Sequence, residues 1–308
     1  GIYTHMLDDE GMVRADFTVF RMEDRCRLVN GADAGPRDLT YMRRMAQDKG
    51  WDVTITDVTE DYTTIGIWGP NARENLKKVV EDPEALNVEN FPFAAIRQIK
   101  IAGKTVSAFR ISYVGEQGWE LHMRYEDGLA VWDALRGIGV LAVGVETYAN
   151  SRRLEKSLRL QNADLHTQYN LLEADLARPK VKEADFRGKA KHVEYRERDH
   201  QPAMLCTLIM TDNVDANGVA RYPVGSLPVM DPESGKTLID ELGRRSYTTS
   251  IAFGPSVGKN IALAYLPWDY CQEGRKLIVS YMDEIYPVEV YGIGYKPIYD
   301  PENLKPRS

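Results

Sequence analysis

Hydrophobic positions along the chain follow two regimes that meet near residue 195. Before that point, stretches with alternating apolar residues mix with stretches where apolar residues recur every three or four positions, so both strands and amphipathic helices are predicted. Residues 2–9 read as a strand and turn. Gly11 opens a second strand with Val13, Phe17 and Val19 on one face and Arg14 and Asp16 on the other. A third strand over 26–31 ends in Asn30-Gly31. Leu39, Met42 and Met45 mark a helix over 37–49, closed by Gly50. Two strand patterns follow, around Val53/Ile55 and Ile65/Ile67. Gly69-Pro70-Asn71 then starts a helix carrying Leu76, Val79 and Val80 that Pro83 ends. Residues 99–106 read as a hairpin leading into a strand over 106–111, and Trp119, Leu121 and Met123 line the next strand. A helix over 127–136 carries Leu129, Trp132 and Leu135 on one face, with Trp132 read as core. Residues 182–200 are charge-rich and read as a linker with an exposed helix. From Gln201 only strand and turn patterns occur, at the short spacing of a small barrel. The expected architecture is α+β: a mixed module over 1–195 followed by a C-terminal all-β barrel over 196–308.

Composition narrows the function classes. Of 308 residues, 43% are hydrophobic and 28% charged, which fits a globular chain with a proper core. The net charge of −7 argues against a general nucleic-acid binder, which needs a basic surface. No apolar run approaches the ~20 residues that span a bilayer, so no membrane partner is expected. Cys26, Cys206 and Cys271 are far apart with no CxxC pair, which fits a reducing compartment: the cytoplasm or, in a eukaryote, the mitochondrial matrix. The five histidines lack metal-ligand spacing, and no P-loop, GxGxxG or G-x-S-x-G element is present. The chain opens on Gly1-Ile2-Tyr3 in a predicted strand, from which a missing natural start is expected.

The richest candidate chemistry lies in Ser112-Tyr113-Val114-Gly115-Glu116-Gln117-Gly118-Trp119-Glu120-Leu121, between two predicted strands. Glycines permit a tight turn and a close approach to a ligand. An ionised Glu116 on such a turn is acceptor-only and can take two parallel N–H donors from a flat heterocycle. The local pattern equally allows a hairpin with a solvated Glu. Asp16 sits in a strand that its side chain disfavours, so it is either solvent-facing or part of a site. Asn30-Gly31 is ordinary turn chemistry as well as a candidate contact. Arg153 and Glu155 are two apart and do not share a helix face.

Together these segments resemble the glycine-cleavage T-protein (aminomethyltransferase) superfamily over essentially the whole chain. The carriers are Tyr113-x-Gly115-Glu116-x-Gly118-x-Glu120-Leu121, Gly11-x-Val13-x-x-Asp16-x-Thr18-Val19, Tyr148-Ala149-x-Ser151-x-Arg153-x-Glu155-Lys156, and the run from Pro255 to Leu266. The third looks closer to the folate domains fused to dimethylglycine and sarcosine dehydrogenases. The resemblance implies a folate-binding module, tetrahydrofolate as cofactor and one-carbon transfer from an N-methyl, methylamine-type or S-methyl donor. It implies Glu116 on the pterin ring with Tyr113 beside it, Asn30 and Arg153 as further cofactor contacts, and Asp16 as the catalytic group facing the incoming amine. It also implies a flavin dehydrogenase domain or subunit as partner. A folate module of a larger FAD-dependent dehydrogenase and a non-catalytic folate-binding or assembly protein are the alternatives. Trp68 stands where the family has Gln and Asn162 where it has Gly; Asn170-Leu171 in place of Thr-Pro and Asp175 in place of Gly adjoin the expected substrate region, which leaves substrate identity open.

Overall fold

The computed structural model describes residues 1–308, apart from the side chain of Ala32. The chain forms two compact units: one of residues 1–4, 16–143 and 302–308, the other of residues 5–15 and 144–301. The sequence pattern changes near 195, whereas the packing divides at 143/144. The reason is that the segment after 143 packs onto strands of the second unit.

β1 (Ile2–Leu7), β2 (Val13–Arg21) and β3 (Cys26–Val29) form a three-stranded sheet in that order. In β2, Val13, Ala15 and Phe17 are buried, which turns Asp16 to the opposite face as its alternation predicts. α1 (Gly35–Asp48) begins two residues earlier than expected, with Pro36 in its first turn. Residues 51–58 form no strand. Trp51 and Val53 are exposed, and Arg43 rather than a neighbouring strand takes the Ile55 carbonyl, at 3.1 Å. The alternation there has no surface to cover.

β4 (Tyr62–Trp68) is followed by α2 (Ala72–Lys77), which stops well short of Pro83. β5 (Ile96–Ile101) and β6 (Lys104–Phe109) form the expected hairpin, with Ala102 and Gly103 both at positive φ in its turn. With β7 (Gly118–Arg124) they build a sheet of order β4-β7-β6-β5. α3 (Gly128–Gly137) buries Val131 and Leu135 against this sheet; Trp132 is 42% exposed and is not core. Trp119, Leu121, Ile67, Val106, Leu76 and Val131 belong to the core of the first unit.

In the second unit a π-helical stretch over residues 147–152 runs into α4 (Arg153–Glu155), and α5 (Lys189–Arg196) buries His192 and Tyr195. α5 therefore packs on one side instead of floating in the expected linker. The remaining strands are β8 (Ala203–Met210), β9 (Val229–Met230), β10 (Thr248–Gly254), β11 (Lys259–Pro267), β12 (Lys276–Tyr281) and β13 (Glu284–Ile293). They form one antiparallel sheet of order β10-β11-β8-β13-β12-β9. Its ends approach each other: Pro228 bridges Tyr247, and Val229 donates to the Ser246 carbonyl at 3.1 Å. The sheet thus curls into the expected barrel around Leu208, Val229, Ala264, Val279 and Val290. Its other face packs Leu205, Leu263 and Tyr265 against Leu154, Leu165 and Tyr169.

Candidate functional site

The loop between β6 and β7 is fixed from below by the end of β4. Trp68 donates its indole N–H to the Ile111 carbonyl at 2.8 Å, Gly69 donates to the Gln117 carbonyl at 3.0 Å, and the Gln117 amide donates to the Pro70 carbonyl at 2.6 Å. Gly115 turns the chain at φ 77°, in the region that favours glycine. Gly118 pairs with Trp68, and a Cβ there would sit 2.1 Å from the Ile67 carbonyl oxygen and 2.8 Å from Trp68 Cα. The sequence needs no side chain at 118 so that β7 can lie against β4.

On this loop Glu116 is only 8% exposed, and the Lys305 ammonium stands 3.7 Å from its Oε1. Tyr113 is half-buried in the same loop. Ser112 Oγ and Gln117 Oε1 are buried there without a hydrogen-bond partner. Buried polar atoms are nearly always satisfied, so two orphans flanking a buried carboxylate mark a surface built for a polar ligand. Glu116 and Gln117 Oε1 offer acceptors and Ser112 a hydroxyl that donates or accepts, a set that fits a flat heterocycle bearing N–H donors.

Arg110, at the start of the loop, is fully buried and donates to the Phe91 carbonyl at 2.6 Å and the Arg307 carbonyl at 2.9 Å. Burial, and then the neighbouring Arg73, bring its pKa down to about 10. Both guanidiniums lie over the Trp119 ring, at 5.3 Å for Arg73 and 5.9 Å for Arg110. Buried with Trp119, they brace the start of β7.

The second cluster surrounds Asp16. The Tyr3 hydroxyl donates to Asp16 Oδ2 at 2.8 Å. Burial raises the Asp16 carboxyl above the usual 3.8 despite that bond, and the charges of Asp38 and Asp33 push the same way. Asp38 is fully enclosed, and takes hydrogen bonds from the Asn30 amide at 3.1 Å and the Arg37 Nε at 2.9 Å. Asn30 therefore spends an amide proton on Asp38, a carboxylate whose charge reaches Asp16, rather than standing alone in a turn.

Arg153 lies in the second unit and is completely enclosed. It donates to the Ala149 carbonyl at 2.7 Å, the Leu158 carbonyl at 3.0 Å, Asp164 Oδ2 at 2.5 Å and the Ser250 hydroxyl. Asp164 also accepts from Leu160 N at 2.9 Å and from Thr249 and Ser250. Four of the five guanidinium donors are thus taken by protein groups. Glu155 caps a different place: it accepts from Ser256 N at 2.6 Å and from Arg152 at 2.5 Å. Glu173 likewise binds Asn170 N at 2.9 Å and the Arg244 guanidinium.

Asn162 and Asp175 both have positive φ, 66° and 52°. Among side-chain-bearing residues Asn and Asp tolerate this region best. The Asp175 carboxylate also accepts from Tyr295 N at 2.7 Å. Asn162 borders a polar groove of about 500 Å³ in the second unit, together with His166, Gln168, Tyr247 and Thr249. Among the described residues no group of three or more His, Cys, Asp or Glu side chains is placed to hold a metal ion. Among the described residues no helix is long and apolar enough to cross a membrane.

Sequence reasoning missed Asp38, Arg73, Arg110 and Lys305. Arg110 carried a signal, a cation inside the apolar run 106–111; the other three read as ordinary surface charges.

Residues 1–181 match the GCVT N-terminal domain, and residues 226–300 match the glycine cleavage T-protein C-terminal barrel domain. The chain belongs to the glycine cleavage T-protein family. Mitochondrial dimethylglycine dehydrogenase of Homo sapiens is 31% identical over 294 residues, covering 93% of this chain and 32% of that protein. Trimethylamine-oxide aldolase of Ruegeria pomeroyi is 29% identical over 322 residues, covering all of this chain and 38% of that protein. The chain therefore spans about a third of the length of these relatives. The crystal structure of the glycine cleavage system aminomethyltransferase T from Bartonella henselae superposes with a TM-score of 0.78 at 20% identity, covering 97% of this chain and 76% of that one. This T-protein fold is the α+β module with a C-terminal barrel expected from the sequence.

Proposed function

We propose that this T-protein family chain binds tetrahydrofolate and transfers to it a one-carbon unit from a methylated amine. The observation that carries the reading is the buried Glu116 on the β6–β7 loop, with the orphaned Ser112 and Gln117 atoms around it. Family membership supports the chemistry, and the dehydrogenase and aldolase relatives, whose names specify dimethylglycine and trimethylamine oxide, favour an N-methyl donor over an S-methyl one. When bound, tetrahydrofolate supplies the nitrogens that take up the one-carbon unit. Glu116 would hold the pterin edge by accepting its N–H groups, with Lys305 offsetting the carboxylate's charge, and Tyr113 on the same loop would help to hold the cofactor. Asp16, its carboxyl raised by burial and its Oδ2 oriented by the Tyr3 hydroxyl, accepts or returns the proton at the amine. Asn30 acts indirectly by holding Asp38. Proximity and orientation supply most of the rate. As the one-carbon module of a larger flavin dehydrogenase, the chain would receive its donor from that partner, in the cytoplasm or the mitochondrial matrix.

Calorimetric titration with tetrahydrofolate tests the reading. The chain is expected to bind and Glu116→Ala to lose binding at least tenfold, as a charge-assisted pair implies. Equal binding by both would remove the pterin from Glu116. Binding by a chain that transfers no one-carbon unit from any N-methyl donor would leave a folate carrier rather than a transferase.

A further inference from the structure

Cys206 lies in β8, a strand paired on both edges, to β11 through Ala264 and to β13 through Ile293. Cys271 ends the short turn Trp268–Tyr270 that follows β11, and its N–H donates to the Trp268 carbonyl at 3.0 Å. Its sulfur rests 3.4 Å from the Leu266 carbonyl oxygen and 3.3 Å from that of Pro267. Both sulfurs are thus carried on fixed backbone, and they lie 3.8 Å apart. A disulfide needs about 2 Å, so the sulfurs must close by less than 2 Å, a shift that side-chain rotation can supply. Cys26, the third thiol, is exposed in the other unit.

The two thiols are unequal. Cys206 is enclosed, while Cys271 keeps part of its surface in solvent. The hydrogen bond that Cys206 donates to the Cys271 sulfur, and then burial, push the Cys206 thiol well up; the same bond brings the Cys271 thiol down. That is the division a peroxide-reactive pair needs, with a partly exposed, more acidic thiol in front and a protected thiol behind.

We propose that Cys271 and Cys206 form a reversible disulfide when the chain meets hydrogen peroxide, with Cys271 attacking and Cys206 resolving. The Cys271 thiolate attacks one peroxide oxygen and the O–O bond breaks. The leaving hydroxide takes a proton to become water, and Cys271 is left as a sulfenic acid. Cys206 then gives up its proton, its sulfur attacks the Cys271 sulfur, the S–O bond breaks and a second water leaves. Two thiols lose two electrons and one peroxide gains them. The bond ties the central strand of the barrel to the turn after β11 and closes the segment 206–271, which restricts the unfolded chain and makes the oxidised form the more heat-resistant one.

The test uses the whole unsubstituted chain. It is treated with equimolar hydrogen peroxide, alkylated under denaturing conditions and mapped as peptides without reductant. The expected result is one cross-link between the Cys206 and Cys271 peptides, Cys26 still alkylated and a higher thermal midpoint, with the cross-link and the midpoint shift both reversed by dithiothreitol. In Cys206→Ala treated with a several-fold molar excess of hydrogen peroxide, Cys271 takes up a second peroxide oxygen and is expected to proceed to sulfinic acid, which dithiothreitol does not reverse. Oxidation confined to Cys26, or Cys271 overoxidised while Cys206 is still alkylated in the unsubstituted chain, would overturn the proposal.

Discussion

At the scale of single residues, Asp16 is where structure and chemistry conflict most usefully. Its carboxyl is raised above 3.8 by burial, so the folded state keeps the proton to higher pH than the unfolded chain does. The stability that the protonated carboxyl brings is fully present below about 3.8 and is lost as pH rises through the raised value. Asn at this position still accepts from Tyr3 but has no proton to lose. Asp16→Asn should therefore be more stable than the unsubstituted chain at pH 7, with the difference in thermal midpoint vanishing below pH 4, and should lose on the order of 10²–10⁴ in transfer rate. Undiminished turnover would remove Asp16 from catalysis. Asp16 and Glu116 were legible in the sequence because each breaks a local rule: an Asp where a strand disfavours it, a Glu between two glycines. Asp38 and Lys305 break none. Asp38 sits in the first helical turn, where any acid is welcome, and only its complete enclosure marks it out. Lys305 gains its role from a long-range approach to Glu116 that no pattern encodes.

At the scale of elements, the β6–β7 loop owes its shape to what lies beneath it. A Cβ on Gly118 would overlap the Ile67 carbonyl and the Trp68 backbone, and both belong to a paired strand with little room to yield. Gly118→Ala should cost about 1–3 kcal/mol in urea unfolding and loosen the Glu116 turn, so tetrahydrofolate affinity should fall together with stability. Unchanged affinity in a destabilised variant would mean that the turn is held by Trp68 and Gln117 alone. The strands and hairpin of this sheet were readable because period-2 alternation and turn residues are local properties. The pattern around Val53 and Ile55 was equally local and still formed no strand, because a ladder needs a partner and none lies beside it. In α3, apolar spacing put Leu129, Trp132 and Leu135 on the packed face, but the sheet accepts Leu135 together with Val131 and leaves Leu129 and Trp132 exposed. Periodicity tells which residues share a face, not which face a neighbour covers. The family pattern's glycines at 162 and 175 are a gentler case: Asn and Asp take over the left-handed backbone, so the turns survive the substitution.

At the scale of the whole molecule, composition changes near 195 while packing divides at 143/144, and Arg153 explains the difference. Its guanidinium, enclosed with Asp164 and Ser250, joins the helical segment 147–155 to β10, a contact spanning nearly a hundred residues. No local pattern reports such a bond. The resemblance offered Arg153 as a folate contact; its four protein partners favour an architectural role, and the two differ in what they predict. Replacing one member of a buried ion pair leaves the other charge uncompensated and costs about 3–5 kcal/mol. Arg153→Met should therefore lose that much stability, with faster hydrogen exchange along 147–165 and β10. Arg153→Lys keeps the charge but not the fork, and should fall between. Under conditions where each variant remains folded, the architectural role predicts a tetrahydrofolate Kd equal to that of the unsubstituted chain. A folate contact predicts a weakened Kd that tracks the lost guanidinium even where folding is intact. Measuring exchange and affinity on the same three proteins separates the two, because a structural hub moves the first and a ligand contact moves the second.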